Sequence, residues 1–259
     1  MTTNFMNWGK PGTAVVTGAS AGLGVEFARQ LSSQGFNLAL TARREDRLQS
    51  VAEGLRDEFG VTVDILVADH SDATANQRVM DYILACDDLD VLVNNAGYGI
   101  IADFADTATQ DHVDMITVHC TAPTQFAHTA VQGMKQRDQG TIINVSSVGA
   151  LLKMPPGVMY TATKEYMNTF SETLQANLAE TSIRIQALCP GFTYTEFHDV
   201  DTMSGFDREW FPKETWMTAE EVISLSLAAF DEPDVIVITG QHNKDFVTQR
   251  MADNPRFRT

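Results

Sequence analysis

Seven short runs rich in Val, Ile and Leu, spaced by helix-length segments, restrict this chain's possible folds more than any other feature. They are Thr13–Thr17, Asn37–Ala42, Val61–Ala68, Leu89–Asn95, Gly140–Ser146, Ile183–Cys189 and Asp234–Gly240. Their apolar residues run together rather than alternate, as in strands buried on both faces of a parallel sheet. In the first intervening segment Leu23, Phe27 and Leu31 share one helical face, and Gly35 stands where a C′ glycine would close the helix. No linker, repeat or low-complexity tract interrupts the alternation. The expectation is one doubly wound α/β domain over 1–259. One irregular aromatic stretch, about 192–218, separates the sixth strand from the last helix.

Composition then removes classes of function. With 34 acidic against 18 basic residues the net charge is −16, which opposes any sequence-independent grip on nucleic acid or an anionic membrane surface. Hydrophobic residues at 44% and charged residues at 20% describe a globular chain rather than a disordered one. Cys86, Cys120 and Cys189 are odd in number and far apart, so neither a disulfide framework nor a zinc ribbon fits, and no metal site is expected. The amino terminus shows no basic-then-apolar secretory pattern, and no run approaches 18 apolar residues. A cytoplasmic protein is expected.

Four groups of residues carry chemistry. The first is Thr17-Gly18-Ala19-Ser20-Ala21-Gly22-Leu23-Gly24, between the first strand and the first helix. Glycines there permit a tight turn and close backbone approach, and the helix start offers N–H groups to a pyrophosphate. The spacing is G-x3-G-x-G rather than the usual dinucleotide G-x-G-x-x-G. The second lies at the end of the second strand, where an NAD site carries an acid for the ribose. This chain has Arg43 and Arg44 there, with Arg47 a turn later and Glu45 and Asp46 as local counter-charges. Forked guanidinium donors suit a 2′-phosphate, so NADP(H) is favoured over NAD(H).

The third is Asn94-Asn95-Ala96-Gly97 at the fourth strand's end, where open α/β sheets bind ligands. Asp69, at the end of the third strand, either reaches an adenine or caps the next helix, as Ser71 and Asp72 also could. The fourth is Ser147 with Tyr160 and Lys164. The last two are four apart in a helix-like run, on one face and separated by a rise of about 6 Å. An ammonium beside a phenol stabilises phenolate, and a tyrosine so tuned exchanges a proton with a carbonyl or hydroxyl oxygen. Ser147, just past the fifth strand, could hold that oxygen by a hydrogen bond, while a Tyr–Lys pair taken by itself is more often a surface pair than a catalytic one.

As an ordered set, TGxxxGxG, NNAG, a serine thirteen residues before YxxxK, and a late Pro-Gly resemble the short-chain dehydrogenase/reductase family over about Thr13 to Thr195. The resemblance implies a Rossmann-type sheet of about seven strands and hydride transfer between nicotinamide and a carbonyl/alcohol pair. It implies Tyr160 as general acid/base, Ser147 as orienter of the substrate oxygen, and Lys164 as both tuner of the tyrosine and ribose ligand. Gly18, Ser20, Ala21, Gly22, Leu23, Gly24, Arg43, Arg44, Asp69, Asn95, Ala96, Gly97, Pro190, Gly191, Thr193 and Thr195 would line the cofactor cleft, together with Asn94. His119 stands where the family carries an asparagine in a proton relay. A histidine there implies either an altered relay with pH sensitivity near neutrality or a ring that only satisfies helix backbone. The family also pairs helices of the 106–136 and 160–178 stretches, so a homo-dimer or homo-tetramer is expected. The missing terminal D-G-G weakens the tetramer inference.

Phe192, Tyr194, Phe197, Phe206, Trp210, Phe211, Trp216 and Met217 crowd the irregular stretch, two of the chain's three tryptophans among them (Trp8 is the third). They would form a lid favouring an apolar carbonyl substrate, a packing layer, or a mixture of the two. Competing expectations are a non-catalytic dinucleotide-sensing protein and a methyltransferase with a Gly-rich first loop. The latter has no account of NNAG or YxxxK.

Overall fold

The computed structural model describes residues 10–152 and 157–252. The segment read above for a secretory pattern is therefore outside the described residues up to position 9, and so is Trp8. Strands β1 (Thr13–Thr17), β2 (Asn37–Ala42), β3 (Val63–Val67), β4 (Leu89–Asn94), β5 (Thr141–Val145), β6 (Arg184–Cys189) and β9 (Ile236–Ile238) match the seven runs within a few residues. Two two-residue strands, β7 (Thr193–Tyr194) and β8 (Met217–Thr218), close the neck of the irregular stretch by pairing in parallel.

The helices are α1 (Gly22–Ser33), α2 (Glu45–Phe59), α3 (Ala73–Ala85), α4 (Thr109–Ile116), α5 (Ala122–Arg137), α6 (Val148–Leu152), α7 (Val158–Asn177), α8 (Ala219–Ala228) and α9 (Gln241–Ala252). The seven long strands form one all-parallel sheet in the order β3-β2-β1-β4-β5-β6-β9. Strand order reverses beside β1, between it and β4, and the crevice at the carboxyl ends there is the usual ligand site of such sheets.

Both faces of the sheet are covered, which is why the strand runs lack alternation. On one face Phe27, Leu31, Leu48, Val222 and Ile223 pack against Val16, Leu40 and Val93. On the other, Val79, Ile83, Phe126, Met134 and Leu178 pack against Val15, Leu92 and Ile142. A fully buried side chain of this size contributes about 1.5–3 kcal/mol. Edge strand β3 departs from the expectation of burial on both faces. Asp64 and Val67 face solvent, and Asp64 accepts a hydrogen bond from the Tyr82 hydroxyl at 2.8 Å. Gly35, at φ 90°, ends α1 as read. Among the described residues no helix is long and apolar enough to cross a membrane.

Between α4 and α5 the helix widens into a π-type turn, Thr117–Thr121, which carries His119. Such turns are rare and concentrate at functional sites.

Candidate active site

The glycine turn is stitched to β4 by side chains. The Thr17 hydroxyl accepts from the backbone N–H of Asn95 and of Ala96, both at 2.9 Å, and donates to the Val93 carbonyl. The Asn95 amide donates to the carbonyls of Thr17 (2.8 Å) and Gly18 (3.3 Å). Gly18 has φ 67°, and a Cβ there would lie 2.8 Å from the Asn95 amide nitrogen. A Cβ on Gly24 would lie 2.3 Å from the Gly18 carbonyl oxygen, so the turn closes only over hydrogens. The extended Ala21 precedes α1 and supplies no side-chain cap, and the helix's first turn holds no acid. That uncapped start, followed by Leu23, suits an anion. Across it lies the Thr195 side chain, 3.1 Å from where a Gly22 Cβ would be.

At the end of β2 the three arginines part company. Arg43 is 74% exposed and lies 3.8 Å from Asp69. Arg44 turns back over the glycine loop, donating to the Ser20 hydroxyl at 3.0 and 3.2 Å. Arg44 and Arg47 also pair with the carboxylate of Glu196, which sequence reasoning missed. The expected local answer from Glu45 and Asp46 is thus corrected, because those acids occupy the first turn of α2 while the arginines reach Asp69 and Glu196. Asp69 accepts from the Ser71 backbone and hydroxyl, and Asp72 caps α3.

Behind β5 the Ser147 hydroxyl accepts the Gly149 N–H at 3.0 Å, and a Cβ on Gly149 would lie 3.3 Å from that hydroxyl and 3.6 Å from the Tyr160 ring, so the two side chains flank one spot. Lys164 is 5% exposed, and its ammonium donates to the Val145 carbonyl at 2.8 Å and sits 5.8 Å from the Tyr160 ring centre. Burial lowers the lysine to about 8. Burial also pushes the Tyr160 phenol above its ordinary value, with the Ser147 hydrogen bond pulling the other way. This corrects the expected downward tuning of Tyr160. The ammonium lies beside the ring and on a carbonyl, and burial dominates the phenol.

His119 is 1% exposed. Its Nε2 accepts the Tyr98 N–H at 3.1 Å, so Nδ1 carries the proton and donates to the Thr163 hydroxyl at 2.9 Å. The Thr163 hydroxyl in turn donates to the Met159 carbonyl at 2.8 Å. Burial first, and then the Lys164 charge, hold the imidazole well below its ordinary value. The expectation of pH sensitivity near neutrality is therefore corrected, since the ring is neutral and both nitrogens are committed. A Cβ on Gly97 would lie 3.0 Å from His119 Nε2 and 3.3 Å from the Lys164 ammonium, which puts the NNAG turn directly against both.

Pro190 and Gly191 follow β6, and the Pro190 carbonyl accepts the Val148 N–H at 3.0 Å. Gly191 is pressed against Asn243 of α9, whose amide atoms lie 2.4 Å from where a Cβ would be. The Thr193 hydroxyl donates to the Gly191 carbonyl at 3.1 Å. Most aromatics of the irregular stretch pack on one another. Phe192 lies 4.1 Å from Phe211 and 5.2 Å from Trp216, centre to centre, and His198 stacks on Phe206 at 4.4 Å. Among the described residues Phe197 is the aromatic of this stretch whose ring meets Tyr160, at 6.1 Å centre to centre. Trp210 remains 64% exposed.

The sheet order and the placement of these groups at its carboxyl edge define a Rossmann-type α/β protein. The chain belongs to the short-chain dehydrogenase/reductase family: a model of the family described as short chain dehydrogenase matches residues 12–203. It is 34% identical over 184 residues to the inactive hydroxysteroid dehydrogenase-like protein 1 of Homo sapiens, covering 70% of this chain and 56% of that protein. It is 32% identical over 203 residues to the very-long-chain 3-oxoacyl-CoA reductase of Laccaria bicolor, covering 76% and 60% respectively. The chain thus spans little more than half the length of these curated relatives. A solved short-chain dehydrogenase from Sphingobium yanoikuyae in complex with NADPH superposes with a TM-score of 0.83 at 29% identity, over 96% of this chain and 98% of that one.

Proposed function

We propose that this chain is an NADP(H)-dependent oxidoreductase that interconverts an apolar carbonyl compound and its alcohol, working as a single dinucleotide-binding domain. The observation that carries the reading is the convergence of Ser147, Tyr160 and Lys164 against the NNAG turn. The residues fit a dinucleotide. Gly18, Ser20, Ala21, Gly22, Leu23 and Gly24 supply a cradle and an uncapped helix start for the pyrophosphate. Arg43 and Arg44 supply guanidiniums near the ribose, and Asn95, Ala96, Gly97, Pro190, Gly191, Thr193 and Thr195 line the rest of the cleft. When bound, such a cofactor supplies or accepts a hydride at the substrate carbon.

Ser147 and Tyr160 hold the substrate oxygen by two hydroxyl hydrogen bonds. A phenol raised by burial stays protonated at neutral pH, the state needed to give its proton to the oxygen in reduction. Lys164 stabilises the phenolate left behind, and His119 positions Gly97 and the start of α7 without itself exchanging a proton. Phe197 supplies the apolar wall beside Tyr160. Val113, Ile116 and Tyr166, each more than 40% exposed on α4 and α7, support a second copy of the chain against those helices.

A carbonyl and alcohol panel read by nicotinamide absorbance, with NADPH and with NADH, tests the reading. Turnover with NADPH that is lost in Tyr160→Phe is the expected result. Failure of every substrate while both dinucleotides bind would turn the reading to a non-catalytic dinucleotide-binding protein, the alternative that the relative described as inactive favours.

A further inference from the structure

Glu196 is a carboxylate of the site with no part in the chemistry above. Its two oxygens are divided between Arg44 and Arg47, the latter at 2.5 Å, and the same Arg44 guanidinium grips the Ser20 hydroxyl. Two guanidiniums therefore converge on one anion at the carboxyl end of β2, and one of them also holds the Ser20 hydroxyl beside it. That is the set of donors a phosphate monoester would use. The carboxylate is delivered from far along the chain, 152 residues from Arg44. Thr195, the residue before it, lies against Gly22, so the Thr195-Glu196 backbone crosses the glycine turn before the side chain drops between the arginines.

The arrangement is built to exchange. The side chains of Glu196, Arg44 and Arg47 retain 35%, 40% and 50% of their exposure, so water and ions reach the pair. Burial pushes the Glu196 carboxyl up, but hydrogen bonds from Arg44 and Arg47 outweigh it and hold the group below its ordinary value, ionised at neutral pH. Arg43, facing Asp69 at 3.8 Å, is the less committed cation of the cluster.

We propose that Glu196 is an internal anion that competes with the cofactor's 2′-phosphate for Arg44 and Arg47, and so sets the selectivity between NADPH and NADH. The inference rests on the dinucleotide reading above and adds a specificity-determining residue to it. Because Glu196 belongs to the 193–218 stretch, a 2′-phosphate that displaces it also frees the neck of the aromatic lobe from α2.

Titration of the wild-type protein and of Glu196→Gln with 2′-AMP, AMP, NADPH and NADH, followed calorimetrically, tests this. Removing one unit charge from a part-exposed cluster should tighten 2′-AMP and NADPH about tenfold. AMP and NADH should stay within a factor of about two. Tryptophan emission should respond to 2′-AMP in the wild type and not in Glu196→Gln. Glu196→Ala should repeat the affinity result, which guards against a peculiarity of the amide. Equal gains for 2′-AMP and AMP, or no gain in either variant, overturn the proposal while leaving the dinucleotide site standing. Failure of the wild type to bind NADPH and NADH at all overturns the dinucleotide reading, and this inference with it.

Discussion

The two ends of the crevice are built on opposite principles. At the Tyr160 end polar groups are buried and committed. Lys164 is 5% and His119 1% exposed, and each is tied to backbone or hydroxyl partners within 3.1 Å. At the Arg43 end the charged groups are half-exposed and paired with carboxylates from other loops. In a buried cluster, desolvation sets protonation states and a lost partner leaves an orphan. In an exposed one, pairs are weak and exchangeable. One end holds a proton in place, and the other admits a competing anion.

The largest effect is expected where commitment is strongest. Tyr160→Phe removes the proton donor and keeps the ring, so turnover on an active carbonyl should fall about 10²–10⁴-fold. Dinucleotide affinity should be almost unchanged. If turnover survives, Tyr160 is not the acid/base and the contrast between the ends loses its chemical meaning.

Lys164 sharpens the same contrast through pH. Its value in the folded chain, about 8, lies below the ordinary lysine value of about 10.4. Between those values the unfolded chain binds more protons than the folded one, so this group makes stability rise with pH across that window. The cost of burying the ammonium is fully present below about pH 8 and gone above the ordinary value. Urea unfolding at pH 7 and pH 10 should show the wild type gaining on the order of 1–3 kcal/mol relative to Lys164→Met. An identical increment in both proteins would mean that the lysine is not desolvated as the structure places it.

His119→Leu takes a partner from the Tyr98 N–H while the Thr163 hydroxyl keeps its bond to Met159. A loss of about 1 kcal/mol in stability is expected from one part-buried donor left without its partner. The wild-type pH–rate profile should show no inflection from this ring near neutrality, because burial and the Lys164 charge hold the imidazole well below its ordinary value. A bell with a limb near 6 that disappears in the variant would restore the relay.

These two regions also differ in how much of them was readable in the chain. The seven strands were legible because burial on both sheet faces writes itself as uninterrupted apolar runs, and only β3, with Asp64 and Val67 outward, escaped that rule. Spacing put Tyr160 and Lys164 on one helix face, and the resemblance to the family's ordered motifs joined Ser147 to them. The direction of the Tyr160 shift did not, because it depends on desolvation, which one residue's neighbours in sequence do not report. The fate of His119 turned on a widened helical turn and on the Tyr98 backbone, neither of which has a side-chain signature. Glu196 was out of reach for a similar reason. Its partners lie in another loop, and a single acid among 34 carries no mark of where it will land.

The smallest effect is expected at Arg43, and its size is the point. The Arg43–Asp69 pair is exposed at 74% and 45% with a separation of 3.8 Å, a geometry worth about 0–1 kcal/mol to the fold. Arg43→Asp should therefore leave thermal unfolding almost where it was. A cation held so loosely is free to meet a 2′-phosphate, whereas Arg44 must first give up Glu196. The substitution places a carboxylate beside Asp69, which should weaken NADPH about tenfold and change NADH little. The preference, read as the ratio of kcat/KM for the two cofactors, should then move toward NADH. An unchanged ratio would mean that Arg43 does not meet the 2′-phosphate, and it would leave Arg44 and Arg47 to discriminate the two cofactors against Glu196.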